Sequence, residues 1–200
     1  AEVDEARAKG LLYSDNTVPG DIRFKDMNGD GKIDGLDRVR PGKNQEPRFV
    51  AGLTLTAKWK GWDVMLLFQG ATGAQVYIET WSGLVGNYLK SDYEKRWTPE
   101  NPNSEGPRAW DRENQYWINN DNTYFLRNAD YLRLKNAELG YTFRFEGLKK
   151  VGFSNLRLYA NGSNLFTIDG VKDADPEQRD GSIGGYPLRK IINFGVQATF

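Results

Sequence analysis

Residues 49–70, "FVAGLTLTAKWKGWDVMLLFQG", decide the fold. Side chains of a β-strand point alternately to its two faces. Phe49, Ala51, Leu53, Leu55, Ala57 and Trp59 therefore share one face, and Val50, Gly52, Thr54, Thr56 and Lys58 share the other. Lys60-Gly61 follows, a two-residue turn whose glycine tolerates positive φ. Beyond it, Trp62, Val64, Leu66 and Phe68 resume the apolar face. The stretch reads as a hairpin of two long strands.

The same period of two recurs downstream. In "YLRLKNAELGYTFRF" (131–145), Leu132 and Leu134 lie on one phase, and Ala137, Leu139, Tyr141, Phe143 and Phe145 on the other. The flip predicts a bulge near Lys135-Asn136. A short connector leads to "NLRLYANGSNLFT" (155–167), and a loop of about 20 residues precedes the last strand, "RKIINFGVQATF" (189–200). Between the hairpin and Tyr131 lies a long irregular stretch, about 70–129, with a short helix expected around "SDYEKRW" (91–97). Long connections of this kind tend to be functional. Its Trp81, Trp97, Trp110 and Trp117 could stack on sugar rings or meet a partner, but loop aromatics more often form the loop's own small core.

Strand and loop lengths carry the membrane argument. The five strands run roughly 9 to 15 residues, against about 5–6 in ordinary globular sheets and about 9–11 for a membrane-crossing strand. Long loop, tight turn, long loop, short connector and long loop alternate along the chain, as they do in outer-membrane barrels. Trp59, Trp62, Phe143, Phe145 and Phe200 fall at one end of their strands, where an aromatic girdle belongs. The expected fold is all-β: antiparallel up-and-down strands with long loops, forming a partial, C-terminal segment of a large transmembrane β-barrel. Residues 1–48 are expected as an extracellular loop region, and 49–200 as barrel strands with a long extracellular loop at about 70–129. Five strands cannot close a barrel, so the chain is expected to continue a longer protein. The alternative is a secreted, calcium-stabilised β-sandwich that binds carbohydrate, its apolar faces packed on each other.

Composition narrows the chemistry. Lys+Arg and Asp+Glu balance at 27 each, so no charged tail points to nucleic acid. Histidine and cysteine are absent, which removes the commonest general base, the commonest transition-metal ligand and any thiolate. No nucleophile elbow or phosphate loop appears, and catalysis is not expected. No apolar run is long enough for a membrane-spanning helix.

"DMNGDGKIDGLD" (26–37) fits the twelve-residue calcium loop. The template places ligands at Asp26, Asn28, Asp30, the Lys32 carbonyl, Asp34 and Asp37, with Gly31 at the sharp turn and Ile33 as apolar anchor. A hard cation wants many oxygens, so a structural Ca²⁺ is the expected cofactor. Position 12 is Asp rather than Glu, and the flanks are not helical, so this is not a full EF-hand. The rival reading is a pair of Asn-Gly and Asp-Gly turns with solvated aspartates.

"PGDIRFKDMNGDGKID", "GWDVMLLFQGATG", "RWTPENPN", "YLRLKNAELGYTF", "LRLYANGSNLFT" and "NFGVQATF", in this order, resemble the C-terminal region of SusC/RagA-type TonB-dependent outer-membrane transporters. The resemblance covers nearly all of 20–200. It implies a 22-stranded barrel with an N-terminal plug in the outer membrane of Bacteroidota. Such proteins import large nutrients, commonly glycans or peptides, with energy from TonB and a SusD-like surface lipoprotein as partner. The plug and the TonB-contacting segment would lie in a missing N-terminal region. The ending Asn193-x-Gly195-x-x-Ala198-x-Phe200 resembles the signal read by the barrel-assembly machinery, with Ala198 standing where a bulkier apolar residue is usual.

Overall fold

The computed structural model describes residues 1–78, 90–110, 117, 120–144, 147, 152–171, 174–177 and 188–200. Its strands are β1 (Phe49–Trp59), β2 (Trp62–Thr72), β3 (Gln75–Tyr77), β4 (Leu126–Asn128), β5 (Tyr131–Phe143), β6 (Asn155–Asp169) and β7 (Ile191–Thr199). Its α-helices are α1 (Glu2–Ala8) and α2 (Lys90–Lys95), with 3₁₀ turns at Gly35–Asp37 and Thr123–Phe125. The five long strands, of 11, 11, 13, 15 and 9 residues, form one sheet in the order β1-β2-β5-β6-β7. All four pairings are antiparallel. β3 and β4 pair as a separate two-stranded sheet.

The residues explain this sheet locally. Lys60 (φ 47°) and Gly61 (φ 92°) both take positive φ, as a type I′ turn requires, so β1 and β2 stay in tight register. β5 carries the expected bulge. Leu134 pairs Phe68 and Phe166, Asn136 pairs Leu67 and Ser163, and Lys135 between them has no ladder partner. The extra residue reconciles the two hydrophobic phases of β5 with one continuous face. A sandwich would need two facing sheets, whereas all five long strands lie in one.

The chain forms two compact units. The sheet unit comprises Lys43–Val76 and Arg127–Phe200, and the loop unit comprises Ala1–Gly42 and Tyr77–Leu126. The long loop therefore packs with the N-terminal stretch. The cause is an aromatic core of the loop unit: Trp110, Trp117 and Phe125 are buried together, with Ile22, Phe24, Tyr77 and Tyr124 against them. Trp110 and Trp117 meet edge-on at 5.1 Å, an arrangement that aromatic quadrupoles favour. Asp21 ties the two stretches. Its carboxylate accepts from Arg108 Nε at 2.7 Å, from Trp117 Nε1 at 3.4 Å and from the Val18 N–H at 2.9 Å. Gly20 beside it sits at φ 88°, and a Cβ there would lie 2.6 Å from the Trp97 ring. Trp110, Trp117 and Phe125 thus give the loop its own core, while Trp81 lies outside the described residues.

Candidate functional site

The two faces of the sheet are the first functional surface. Across the ladder, Ala57, Val64, Leu139, Ala160 and Phe194 form one row, and Leu55, Leu66, Ala137, Gly162 and Ile192 the next. These rows extend the apolar face of the hairpin over all five strands. On it Leu53, Leu55, Leu139, Leu158 and Ile192 lie open, and Phe194 is 83% exposed. A contiguous apolar surface of this extent needs an apolar environment. Trp59, Trp62, Tyr141, Phe143, Phe153 and Phe200 gather at the tight-turn end. Trp62 meets Tyr141 at 4.8 Å, Tyr141 meets Phe143 at 4.7 Å, and Phe153 meets Phe200 at 4.9 Å. Phe145, expected in the same girdle, lies outside the described residues.

The opposite face is polar and charged. Arg157 on β6 reaches back across β5, pairing with Asp63 of β2 through Nε at 3.0 Å and with Glu138 of β5 at 2.6 Å. Its guanidinium also stands 4.9 Å from the Tyr159 ring. Higher on the same face, Arg133 of β5 binds Asp175 and Glu177. One wall thus offers hydrocarbon on one side and ion pairs on the other, as a barrel between lipid and an aqueous lumen requires.

The C-terminal residues take part in this packing. Asn193 Nδ2 donates to Asn161 Oδ1 at 3.0 Å. Gly195 pairs Tyr159 in the ladder, and the tyrosine ring occupies the space over it. Phe200 contributes its ring to the girdle end.

The loop 26–37 is held by its own side chains. Asp26 accepts from the Gly29 and Gly31 N–H groups at 2.6 and 2.9 Å. Asn28 accepts from Asp30 N–H, and Asp30 from Lys32 N–H, each at 2.9 Å. Asp34 caps the 3₁₀ turn through Leu36 N–H at 2.8 Å. Asp37 closes the loop, one oxygen on Met27 N–H at 2.7 Å and the other on Asp34 N–H at 2.8 Å. The backbone donors of Asp34 and Met27 hold the Asp37 carboxyl below its ordinary range. Gly31 takes φ 81°, as the sharp turn of the calcium template needs. Ile33 lines a cleft of about 430 Å³ with Leu11, Arg23, Phe24, Lys25 and Asp26. The donor set is all oxygen, the kind a hard cation takes. Among the described residues, no three acidic groups are arranged to hold a metal ion.

Sequence reading missed Arg133, Arg157, Tyr159 and Asp21. The signal for the first three was a cation or aromatic on the polar phase of a long strand. Asp21 stood next to a glycine in "PGD", with nothing to announce its burial.

Comparison with known proteins decides among barrels. The chain is 30% identical over 213 residues to TonB-dependent receptor P26 of Formosa agariphila, covering 98% of this chain and 21% of that one. It is 27% identical over 202 residues to TonB-dependent receptor SusC of Bacteroides thetaiotaomicron, covering 94% of this chain and 18% of that one. The RagAB peptide importer in its closed-closed state superposes with a TM-score of 0.66 at 26% identity, over 92% of this chain and 21% of that one. This chain is homologous to a stretch of the SusC/RagA-type TonB-dependent receptors. No family model matches it. Like SusC and RagA, this receptor segment belongs in the outer membrane of a Gram-negative cell. Its sheet is part of a transmembrane barrel wall, and it spans about a fifth of the length of its curated relatives.

Proposed function

We propose that the whole receptor imports large nutrients, glycans or peptides, across the outer membrane, working with a SusD-like surface lipoprotein and drawing energy from TonB through a region outside this chain. The observation that carries the reading is the continuous apolar face opposite an ion-paired polar face on strands of membrane-crossing length. The relatives named above are receptors and transporters, and no catalytic role is assigned to any residue here. In this reading the five strands are wall, and the loop unit is part of the extracellular apparatus. Asn193, Gly195 and Phe200 serve assembly of the wall.

The test uses the complete reading frame. Cells are fractionated, and the membrane fraction is run on a gel with and without boiling. The expected product is in the outer membrane and shifts on boiling. Deleting the gene is expected to abolish growth on one class of large nutrient while leaving growth on its monomers intact. A soluble product that does not shift would overturn the reading.

Residues 26–37 are proposed as a calcium loop that braces the loop unit. Asp26, Asn28, Asp30, Asp34 and Asp37 would hold the ion with the Lys32 carbonyl, and the ion would supply charge neutralisation, not chemistry. The closure of position 12 onto position 2, Asp37 to Met27 at 2.7 Å, supports this reading.

A further inference from the structure

Arg133 is a deeply buried charged residue of the sheet, with 2% of its surface exposed. Every arm of its guanidinium is engaged. Nη2 donates to both Asp175 oxygens at 3.0 and 2.9 Å, Nη1 to Glu177, and Nε to Thr167 Oγ1 at 2.9 Å. Asp175 and Glu177 come from the connection that follows β6, not from the sheet. Asp175 Oδ1 also accepts from the Glu177 N–H at 2.9 Å, which turns both carboxylates to the same side. Glu177 is met in turn by Tyr131 Oη and Gln69 Nε2, each at 3.0 Å, and by Lys135 Nζ at 3.4 Å. Lys135 is the bulge residue of β5, so the bulge brings a second cation to this cluster. Two cations face two carboxylates, and the assembly is neutral only while the connection is docked.

We propose that Asp175-Pro176-Glu177 is an internal strap, latched by Arg133 onto the polar wall, so that these three residues line the passage. The inference rests on the reading of that face as the lumen side. The docked carboxylates pair with the Arg133 guanidinium on every arm that faces them, and these charge-assisted bonds offset the loss of water from the three groups. The strap covers Arg133, so a solute passing this height of the wall meets the strap and not the arginine. Undocked, the same wall would present Arg133 and Lys135 as a positive patch.

The full-length receptor tests this in whole cells. Ala174→Cys, as the single cysteine, is treated with a membrane-impermeant maleimide, and Leu36→Cys, an exposed loop position, is the reference. Ala174→Cys is expected to react at least 10-fold more slowly than the reference, and Arg133→Met to bring the two rates together. The boiling shift is scored on every variant, so loss of the barrel is seen separately from loss of the latch. Equal rates in the parent would overturn the proposal, as would an unchanged rate in a shifting Arg133→Met. Should Arg133→Met fail to assemble, Asp175→Asn is read in its place, and an unchanged rate there overturns the proposal too.

Discussion

Gly195 has no side chain because Tyr159 has a large one. A Cβ built on Gly195 would stand 2.3 Å from Tyr159 Cζ and 2.5 Å from its hydroxyl. The two residues are direct partners in the β6–β7 ladder, so an added side chain would have to displace the ring. The aromatic ring fills the pleat that the glycine leaves, a known way to steady a glycine in a sheet. This gives Gly195 a packing role that does not depend on its being read as an assembly signal.

Gly195→Ala is therefore expected to destabilise docking of β7 by about 1–3 kcal/mol, the usual cost of overpacking. The measure is the fraction of full-length protein that shifts on boiling. Tyr159→Ser in the same chain should restore that fraction. If the second change gives no rescue, the glycine acts through recognition and not through space.

The apolar face predicts its own solvent. Leu55 lies midway along β1 and opposite Leu66. A spin label there, or at Val64, is expected to be reached by dissolved oxygen and shielded from a water-soluble relaxation agent. Leu55→Arg should cost about 2–4 kcal/mol of barrel stability, as for arginine near the bilayer midplane. Aqueous accessibility at these positions would refute the lipid-facing assignment.

The loop unit can be loosened without touching the wall. The buried Asp21 carboxylate accepts three hydrogen bonds, from Val18, Arg108 and Trp117. Asp21→Ala is expected to cost the loop unit about 1–3 kcal/mol, the scale for leaving such donors unmade. Limited proteolysis should then cut within 1–42 or 77–126, while the boiling shift stays as in the parent. Simultaneous loss of both readouts would mean that the loop unit is needed for assembly.

Calcium and protons should compete at the opening loop. The Asp37 carboxyl is held below its ordinary value of 3.8 by backbone donors of the folded loop. A depressed folded value means that its contribution is fully present above the unfolded value and is lost as pH falls through the folded one. Calcium binding, followed by calorimetry on the purified receptor, is expected at neutral pH and should disappear over that acidic window. Asp26→Asn and Asp37→Asn should each weaken it at least 10-fold. Absence of calcium heat in the parent receptor would leave the loop as a set of aspartate turns.

Periodicity made the sheet legible. Alternation in 49–70 fixed the faces of the hairpin, and the phase slip in 131–145 located the bulge at Lys135. These are local properties, and a local pattern survives in the sequence. The partners of Arg133 were not legible, since Asp175 and Glu177 stand 42 and 44 residues away and a charge pattern does not say which acid will fold back. The union of 1–42 with 77–126 was hidden for the same reason. Asp21 and Arg108 are 87 positions apart, and their ion pair exists only once the two stretches have folded together.

The mouth of the loop unit has a consequence for how the wall is built. Ile78 N–H donates to Phe125 C=O at 2.9 Å, so the two ends of the unit's 77–126 segment meet. β2 and β5 are neighbours in the sheet although Thr72 and Tyr131 are far apart in sequence. Loop-closure entropy rises with the logarithm of loop length, by about 0.6 kcal/mol per doubling. A loop unit that folds first removes most of that penalty. For the strands, the fifty-residue excursion (77–126) then behaves as a short hinge, and β5 adds to the β1–β2 hairpin almost as quickly as a sequential neighbour would.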